Sequence, residues 1–163
     1  MLGGYIIGGR IVRYADIKKN DINNGEGLVV SLWVTGCPIK CPNCHNESIW
    51  DRNTGKEFTS DTMLDIIEAL EDPRVDKGFS ILGGEPLADW NYETVLHVVK
   101  TVRTLFPNKK IWLWTGYNYD NVKNLEIFKY LDVIIDGMYI DSLKDNNTWW
   151  RGSSNQRKIR LNG

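Results

Sequence analysis

Cys37, Cys41 and Cys44 are the only three cysteines in this chain, and all lie between positions 37 and 44. Thiolates are soft metal ligands and strong nucleophiles. An odd, tightly clustered set is a poor disulfide framework. In a reducing compartment such a set reads as metal-binding or catalytic. The spacing C-x3-C-x2-C lets one loop wrap three thiolates around one metal centre. Iron–sulfur clusters are ordinarily held by four cysteines. Three would leave one iron of a [4Fe–4S] cube open to a small molecule, and an open coordination position marks a catalytic site. The competing centre is structural zinc with a histidine as fourth ligand. His45 adjoins Cys44, and neighbouring residues chelate one metal poorly. His97 lies in a helical pattern and would have to fold back onto the loop. Spacing alone leaves the cluster, zinc and three ordinary thiols open.

The elements that must position this loop are read from apolar periodicity. Four short runs, Leu28–Val34, Phe79–Leu82, Ile111–Trp114 and Leu131–Ile135, are rich in β-branched and aromatic residues and read as buried strands. Between them lie helical patterns. Ser60 is expected to cap a helix with Met63, Leu64, Ile66, Ile67 and Leu70 on its apolar face. Asn91 is expected to start a second, with Val95, Val98, Val99, Val102 and Phe106 spaced for burial and Pro107 ending it. A third is expected from about Tyr119 to Tyr130. The alternation implies βαβ units and an α/β fold with a mainly parallel sheet. A complete eightfold barrel needs about 250 residues. At 163 residues, the chain is expected to form one domain, a short, open partial (β/α) barrel. Tyr5–Tyr14 adds an N-terminal strand or hairpin, and the segment from about 137 reads as largely loop.

In parallel α/β folds, chemistry gathers at the C-terminal ends of the strands. Here the first run leads into the cysteine loop and the second into Gly83-Gly84-Glu85-Pro86. The third leads into Thr115-Gly116-Tyr117 and the fourth into Asp136-Gly137. Paired glycines first of all serve a tight turn. Thr115 and Asp136 equally suit strand and turn caps. All four ends should share one edge of the sheet.

Charge excludes several classes of partner. Lys plus Arg number 20 against 21 for Asp plus Glu, a net charge of −1. No field strong enough to recruit nucleic acid or an acidic membrane follows from that balance. No apolar run is long enough to span a bilayer. The opening residues lack the pattern of a secretory signal, so the expected location is the cytoplasm.

The segments VTGCPIKCPNCHNESIWD, LGGEPL, IWLWTGY, LDVIIDGMY and WRGSSNQR run in order from residue 34 to 157. Together they resemble the radical S-adenosylmethionine superfamily, and within it the small activating proteins of anaerobic ribonucleotide reductase. The resemblance implies a [4Fe–4S] cluster on Cys37, Cys41 and Cys44, with S-adenosyl-L-methionine bound beside it. It implies that one electron from an external donor cleaves S-adenosylmethionine. The resulting 5′-deoxyadenosyl radical then takes hydrogen from a glycine of the reductase large subunit. It further implies that the Asn43–Cys44–His45 backbone and the Gly83–Gly84 turn approach the cofactor. Glu85 either accepts from its amino group or stabilises the turn. Thr115 and Asp136 face the cofactor or cap their strands. Trp149, Trp150 and the Arg151–Arg157 loop dock the partner, close the site or pack the core. Asn43 stands where many superfamily members place an aromatic residue before the third cysteine. The alternatives are activation of another glycyl radical enzyme, radical chemistry on a small molecule, and a zinc-binding module without catalysis. Related activases often carry an inserted cluster domain with further cysteines, which this chain lacks.

Overall fold

The computed structural model describes residues 6–7, 10–44, 46–147 and 149–161, with the backbone alone at 6, 7, 10 and 11. Strands β1 (Ile6–Ile7) and β2 (Arg10–Ile11) pair as a small antiparallel hairpin. A long polar strand β3 (Arg13–Asp21) then turns back into β4 (Val29–Val34). After the cysteine loop come β5 (Lys56–Glu57), helix α1 (Ser60–Leu70), β6 (Gly78–Gly83) and α2 (Asp89–Leu105). The chain continues through β7 (Lys110–Trp114), α3 (Tyr119–Val122), β8 (Val133–Asp136) and β9 (Arg157–Arg160).

Seven strands form one open sheet in the order β5-β3-β4-β6-β7-β8-β9. The four strands foreseen from the apolar runs are its parallel centre, β4-β6-β7-β8. The flanking pairings β5-β3, β3-β4 and β8-β9 are antiparallel, so the sheet is mixed rather than mainly parallel. Among the described residues, strands β5 and β9 are its two edges and no pairing closes the sheet into a barrel.

Strand side chains alternate between two different environments, as the period of two requires. Val30, Leu32, Val34, Phe79, Ile81, Ile111, Leu113 and Ile134 join Met63, Ile66 and Leu70 of α1 and Val95, Val98, Val99 and Val102 of α2 in the main core. On the other face, Trp112, Val133 and Ile135 form a smaller cluster with Trp114 and Trp150. The helices therefore cover one face, and the C-terminal segment packs on the other.

Several boundaries differ from the expectation. Thr59, not Ser60, caps α1: its hydroxyl accepts from the Thr62 amide while Thr62 Oγ1 accepts from the Thr59 amide. This reciprocal pair satisfies two otherwise orphaned donors. Leu64 faces solvent, 56 % exposed, instead of joining the apolar face. Helix α2 starts at Asp89, two residues before Asn91, and Asn91 is instead buried under the site. The third helix is broken. After α3 the chain becomes extended at Leu125 (φ −67°, ψ 141°), then forms a 3-10 turn over Glu126–Lys129. That break lets Ile127 and Phe128 enter the core. The segment after 137 also contains the regular strand β9.

Candidate functional site

A cavity of about 320 Å³ opens at the C-terminal ends of the parallel strands and runs down the helix-free face. Small-molecule sites ordinarily span about 300–1,000 Å³. Cys37, Cys41 and Cys44 line it from the loop after β4, and Gly83, Gly84 and Glu85 from the turn after β6. Thr115 and Gly116 line it from the end of β7, and Gly137 and Tyr139 from beyond β8. The four strand ends thus converge as the sequence pattern required.

The cysteine loop is shaped by its backbone. The Gly36 and Cys37 amides donate to the Ile49 and Trp50 carbonyls (2.8 and 3.0 Å), closing the loop into a ring. Lys40 and Asn43 adopt left-handed backbone angles (φ 50° and 59°), which curl the chain between successive sulfurs. The thiols are not joined in disulfides. Burial pushes the Cys37 thiol up; amides of Lys40 and Ile39 partly offset it, and the charges of Glu85 and Cys44 add to it. Burial likewise raises the Cys41 thiol, against a bond from the Tyr139 amide, with Cys44 and Cys37 opposing its ionisation. The Asn46 amide donates to Cys44 Sγ at 3.4 Å.

These sulfurs suit a metal that takes thiolates. Binding a cation reverses the penalties of burial and mutual repulsion and deprotonates the thiols. The amides aimed at them are the kind of outer contacts that orient metal ligands. Among the described residues, no three His, Cys, Asp or Glu side chains are placed closely enough to hold a single metal ion. His97 lies exposed on α2 and does not line the cavity. His45 lies outside the described residues.

The Gly83–Gly84 turn is set by close backbone packing. A Cβ on Gly84 would lie 2.4 Å from the Gly36 carbonyl oxygen, and Gly83 has φ 127°. The Gly84 and Glu85 amides donate to the Val34 and Gly36 carbonyls (3.0 and 2.8 Å), extending the β4-β6 pairing into the site. Glu85 is 1 % exposed and bridges two strand ends. Its Oε1 accepts from the Gly116 amide (2.7 Å). Its Oε2 accepts from the Leu87 amide (2.9 Å) and from Thr115 Oγ1 (2.8 Å). Burial pushes its carboxyl up to about 7, and these three donors only partly offset that. Of its two expected roles, stabilising the turn is the one its contacts display.

Two of the residues expected at the cofactor, Asn43 and Asp136, are not among those that line the cavity. Asn43 is exposed, and its side chain donates to Asp141 (3.2 Å). Asp136 is buried but does not line the cavity. It accepts from the Tyr119 amide (2.7 Å) and from Arg157 (2.6 and 3.0 Å), joining β8, α3 and β9.

Sequence reasoning overlooked other contributors. Asn91 Nδ2 donates to the Thr35 and Glu85 carbonyls (2.9 and 3.0 Å), tying the two strand ends together from beneath. Asn46 Nδ2 donates to the Gly83 carbonyl (3.2 Å). Gln156 accepts from the Gly152 and Ser153 amides (2.8 and 3.1 Å) and donates to the Gly137 carbonyl (2.9 Å), fixing the far wall. Asn46, Trp50 and Gln156 lie within the segments that carry the family resemblance, which is their signal in the sequence; Asn91 carries only the signal of a helix start.

Trp150 packs edge-on to Trp112, with ring centroids 5.1 Å apart, and lines the cavity. Trp149 is 66 % exposed. The pair thus divides between packing and solvent.

Comparison with known proteins gives a consistent result. The family described as "4Fe-4S single cluster domain" matches residues 23–159. The anaerobic ribonucleoside-triphosphate reductase-activating protein of Enterobacteria phage T4 is 42 % identical over 146 residues, covering 90 % of this chain and 92 % of the relative. The protein of that name from Escherichia coli K12 is 41 % identical over 148 residues, covering 89 % and 96 %. Its Haemophilus influenzae counterpart is 37 % identical over 148 residues, with the same coverage.

Proposed function

The chain belongs to the family of anaerobic ribonucleoside-triphosphate reductase-activating proteins, and on that premise we propose how its residues carry out activation. Cys37, Cys41 and Cys44 hold a [4Fe–4S] cluster, and S-adenosyl-L-methionine occupies the adjoining cavity. The observation that carries this reading is the convergence of the three cysteines, the Gly83–Gly84–Glu85 turn and the Thr115–Gly116 turn on one cavity. When bound, the cluster supplies the electron that splits S-adenosylmethionine into methionine and a 5′-deoxyadenosyl radical.

The protein's part is to bind, orient and shield. Without Cβ atoms, Gly83 and Gly84 pack directly on the Val34 and Gly36 backbone, which fixes the edge that the methionine part approaches. Glu85, locked by three donors, keeps the β6 and β7 turns at a fixed separation. Asn91 and Asn46 hold the cysteine loop against the Glu85 turn. Trp33, Leu82, Trp114 and Ile39 supply apolar walls that exclude water from a reactive radical. Asn43, engaged with Asp141, contributes backbone only.

The whole chain works as one radical S-adenosylmethionine domain, and its open sheet serves as a partial barrel whose inner face is the helix-free one. The partner is the glycyl radical subunit of the reductase, whose glycine-bearing loop enters at the open end. The electron comes from an external one-electron donor, and the clustered free thiols suit the reducing cytoplasm. Among the described residues, no helix is long and apolar enough to cross a membrane.

The test is an anaerobic mixture of iron-loaded protein, S-adenosylmethionine, reductant and reductase large subunit. A glycyl radical signal in electron paramagnetic resonance, with matching release of 5′-deoxyadenosine, is expected. Nucleoside formed at full rate without any glycyl radical would sink the reductase assignment.

A further inference from the structure

Four indoles line the cavity: Trp33, Trp50, Trp114 and Trp150. An indole N–H is a donor only, and when buried it ordinarily finds an acceptor. Three of the four have one. Trp33 Nε1 donates to Ser31 Oγ (3.1 Å), Trp114 Nε1 to the Trp150 carbonyl (2.6 Å) and Trp150 Nε1 to the Gly25 carbonyl (3.2 Å). Trp50 Nε1 is buried and has no partner among the described residues.

The placement of Trp50 is tied to the cysteine loop. Its carbonyl accepts from the Cys37 amide (3.0 Å), and its own amide donates to the Glu47 carbonyl (3.2 Å). Trp50 borders both the cavity and a second groove beside the loop, and Cys37 borders both as well. Trp50 thus shares a backbone hydrogen bond and both cavities with Cys37, and its indole N–H is desolvated and unbonded. Leaving such a donor unpaired costs stability unless something that binds there accepts from it.

We propose that Trp50 Nε1 donates a hydrogen bond to a sulfur of the bound iron–sulfur cluster. This rests on the cluster reading above. Hydrogen bonds to cluster sulfurs tune the reduction potential. A donor favours the more negatively charged, reduced state, so Trp50 makes the cluster easier to reduce. Trp50 is here a positioning and tuning residue, acting through the cluster.

The experiment compares Trp50→Phe with wild type and with Trp90→Phe. Phenylalanine removes the N–H and keeps an aromatic ring. Trp90 is a neighbouring control whose Nε1 already faces the Thr35 carbonyl (3.5 Å). Each protein is reconstituted with iron and sulfide, assayed for both, and titrated potentiometrically with electron paramagnetic resonance as readout. Trp50→Phe is expected to keep full iron while its one-electron reduction constant falls by about tenfold, ~59 mV more negative. Trp90→Phe is expected to keep the wild-type potential. A fully loaded Trp50→Phe protein at wild-type potential overturns the proposal. So does an unchanged potential with weakened S-adenosylmethionine binding, which would assign the N–H to that molecule. If Trp50→Phe does not load, wild type with ¹⁵N-labelled indoles decides. Pulsed resonance of its reduced cluster should show a ¹⁵N coupling with an exchangeable proton, and absence of that coupling overturns the proposal. A wild-type protein that takes up no iron overturns the cluster reading itself, and is told apart by metal content alone.

Discussion

Residues 36–50, on one side of the cavity, are tied down largely by backbone. Amides of Gly36 and Cys37 meet carbonyls of Ile49 and Trp50, and left-handed Lys40 and Asn43 make the bends. Residues 137–157, on the other side, are tied down largely by side chains. Arg157 grips buried Asp136, Gln156 bonds three backbone groups, and Arg151 pairs with Asp145 (3.1 Å). Trp150 sits at φ 74°, an unfavourable angle for a bulky residue, held by two hydrogen bonds and by Trp112. Lys158 stacks on the Trp150 ring at 4.1 Å. The contrast follows from what each wall does. A loop that presents several side chains to one ligand must leave them unengaged, so backbone carries its shape. A wall that only closes the site can commit its side chains to structure.

Substitutions should separate the two accordingly. The largest effect is expected from Cys41→Ala, which should reduce bound iron from about four per chain to none. The unfolding free energy of the metal-free protein should change by only about 1 kcal/mol, measured by denaturant titration. An iron-replete Cys41→Ala protein would break the comparison at its centre. Next is Gly84→Ala, whose Cβ would press on the Gly36 carbonyl at 2.4 Å, backbone that cannot swing aside. It should cost about 3 kcal/mol of stability and misalign the cysteine loop.

Glu85 gives a pH signature of similar size. Its folded value of about 7 lies above the ordinary 4.5, so between these limits the folded state holds a proton that the unfolded state has lost. Stability therefore falls as pH rises through that window and levels off above it. The metal-free wild type should lose about 3 kcal/mol relative to Glu85→Gln between pH 4.5 and 7. A constant difference between the two across that range would contradict the buried, bridging role.

On the far wall, Arg157→Leu leaves the Asp136 carboxylate buried with the Tyr119 amide as its remaining named donor. Because Arg157 is itself half-exposed, the expected loss is about 2 kcal/mol, below that of a fully buried pair. Iron binding should survive it, the reverse of Cys41→Ala. The smallest effect is expected at Trp149→Ala, within about 0.5 kcal/mol, because the ring faces solvent.

The same contrast explains what could be read from the sequence. The cysteine wall is legible because its chemistry is local: three sulfurs at fixed spacing, with one glycine pair, Gly83-Gly84, after the next apolar run. The four central strands were legible because burial on both faces makes them continuously apolar. Strand β9 was not, since Arg157–Arg160 carries one apolar residue and its partner β8 lies more than twenty positions upstream. Most of β3 was missed for a related reason: Arg13–Asp21 is an outer strand with few buried positions. For Asp136 the sequence leaves a cofactor contact and a strand cap open, because a buried carboxylate at a strand end looks the same whether it meets a ligand or an arginine twenty-one residues away. Asn91 has the composition of a helix start, and only the fold shows it beneath the cysteine loop.

The most direct test is anaerobic reconstitution with iron and sulfide, followed by reduction and assay for 5′-deoxyadenosine from S-adenosylmethionine. A brown protein with about four irons per chain that forms the nucleoside is the predicted result. A colourless protein holding one zinc and forming no nucleoside would contradict the account.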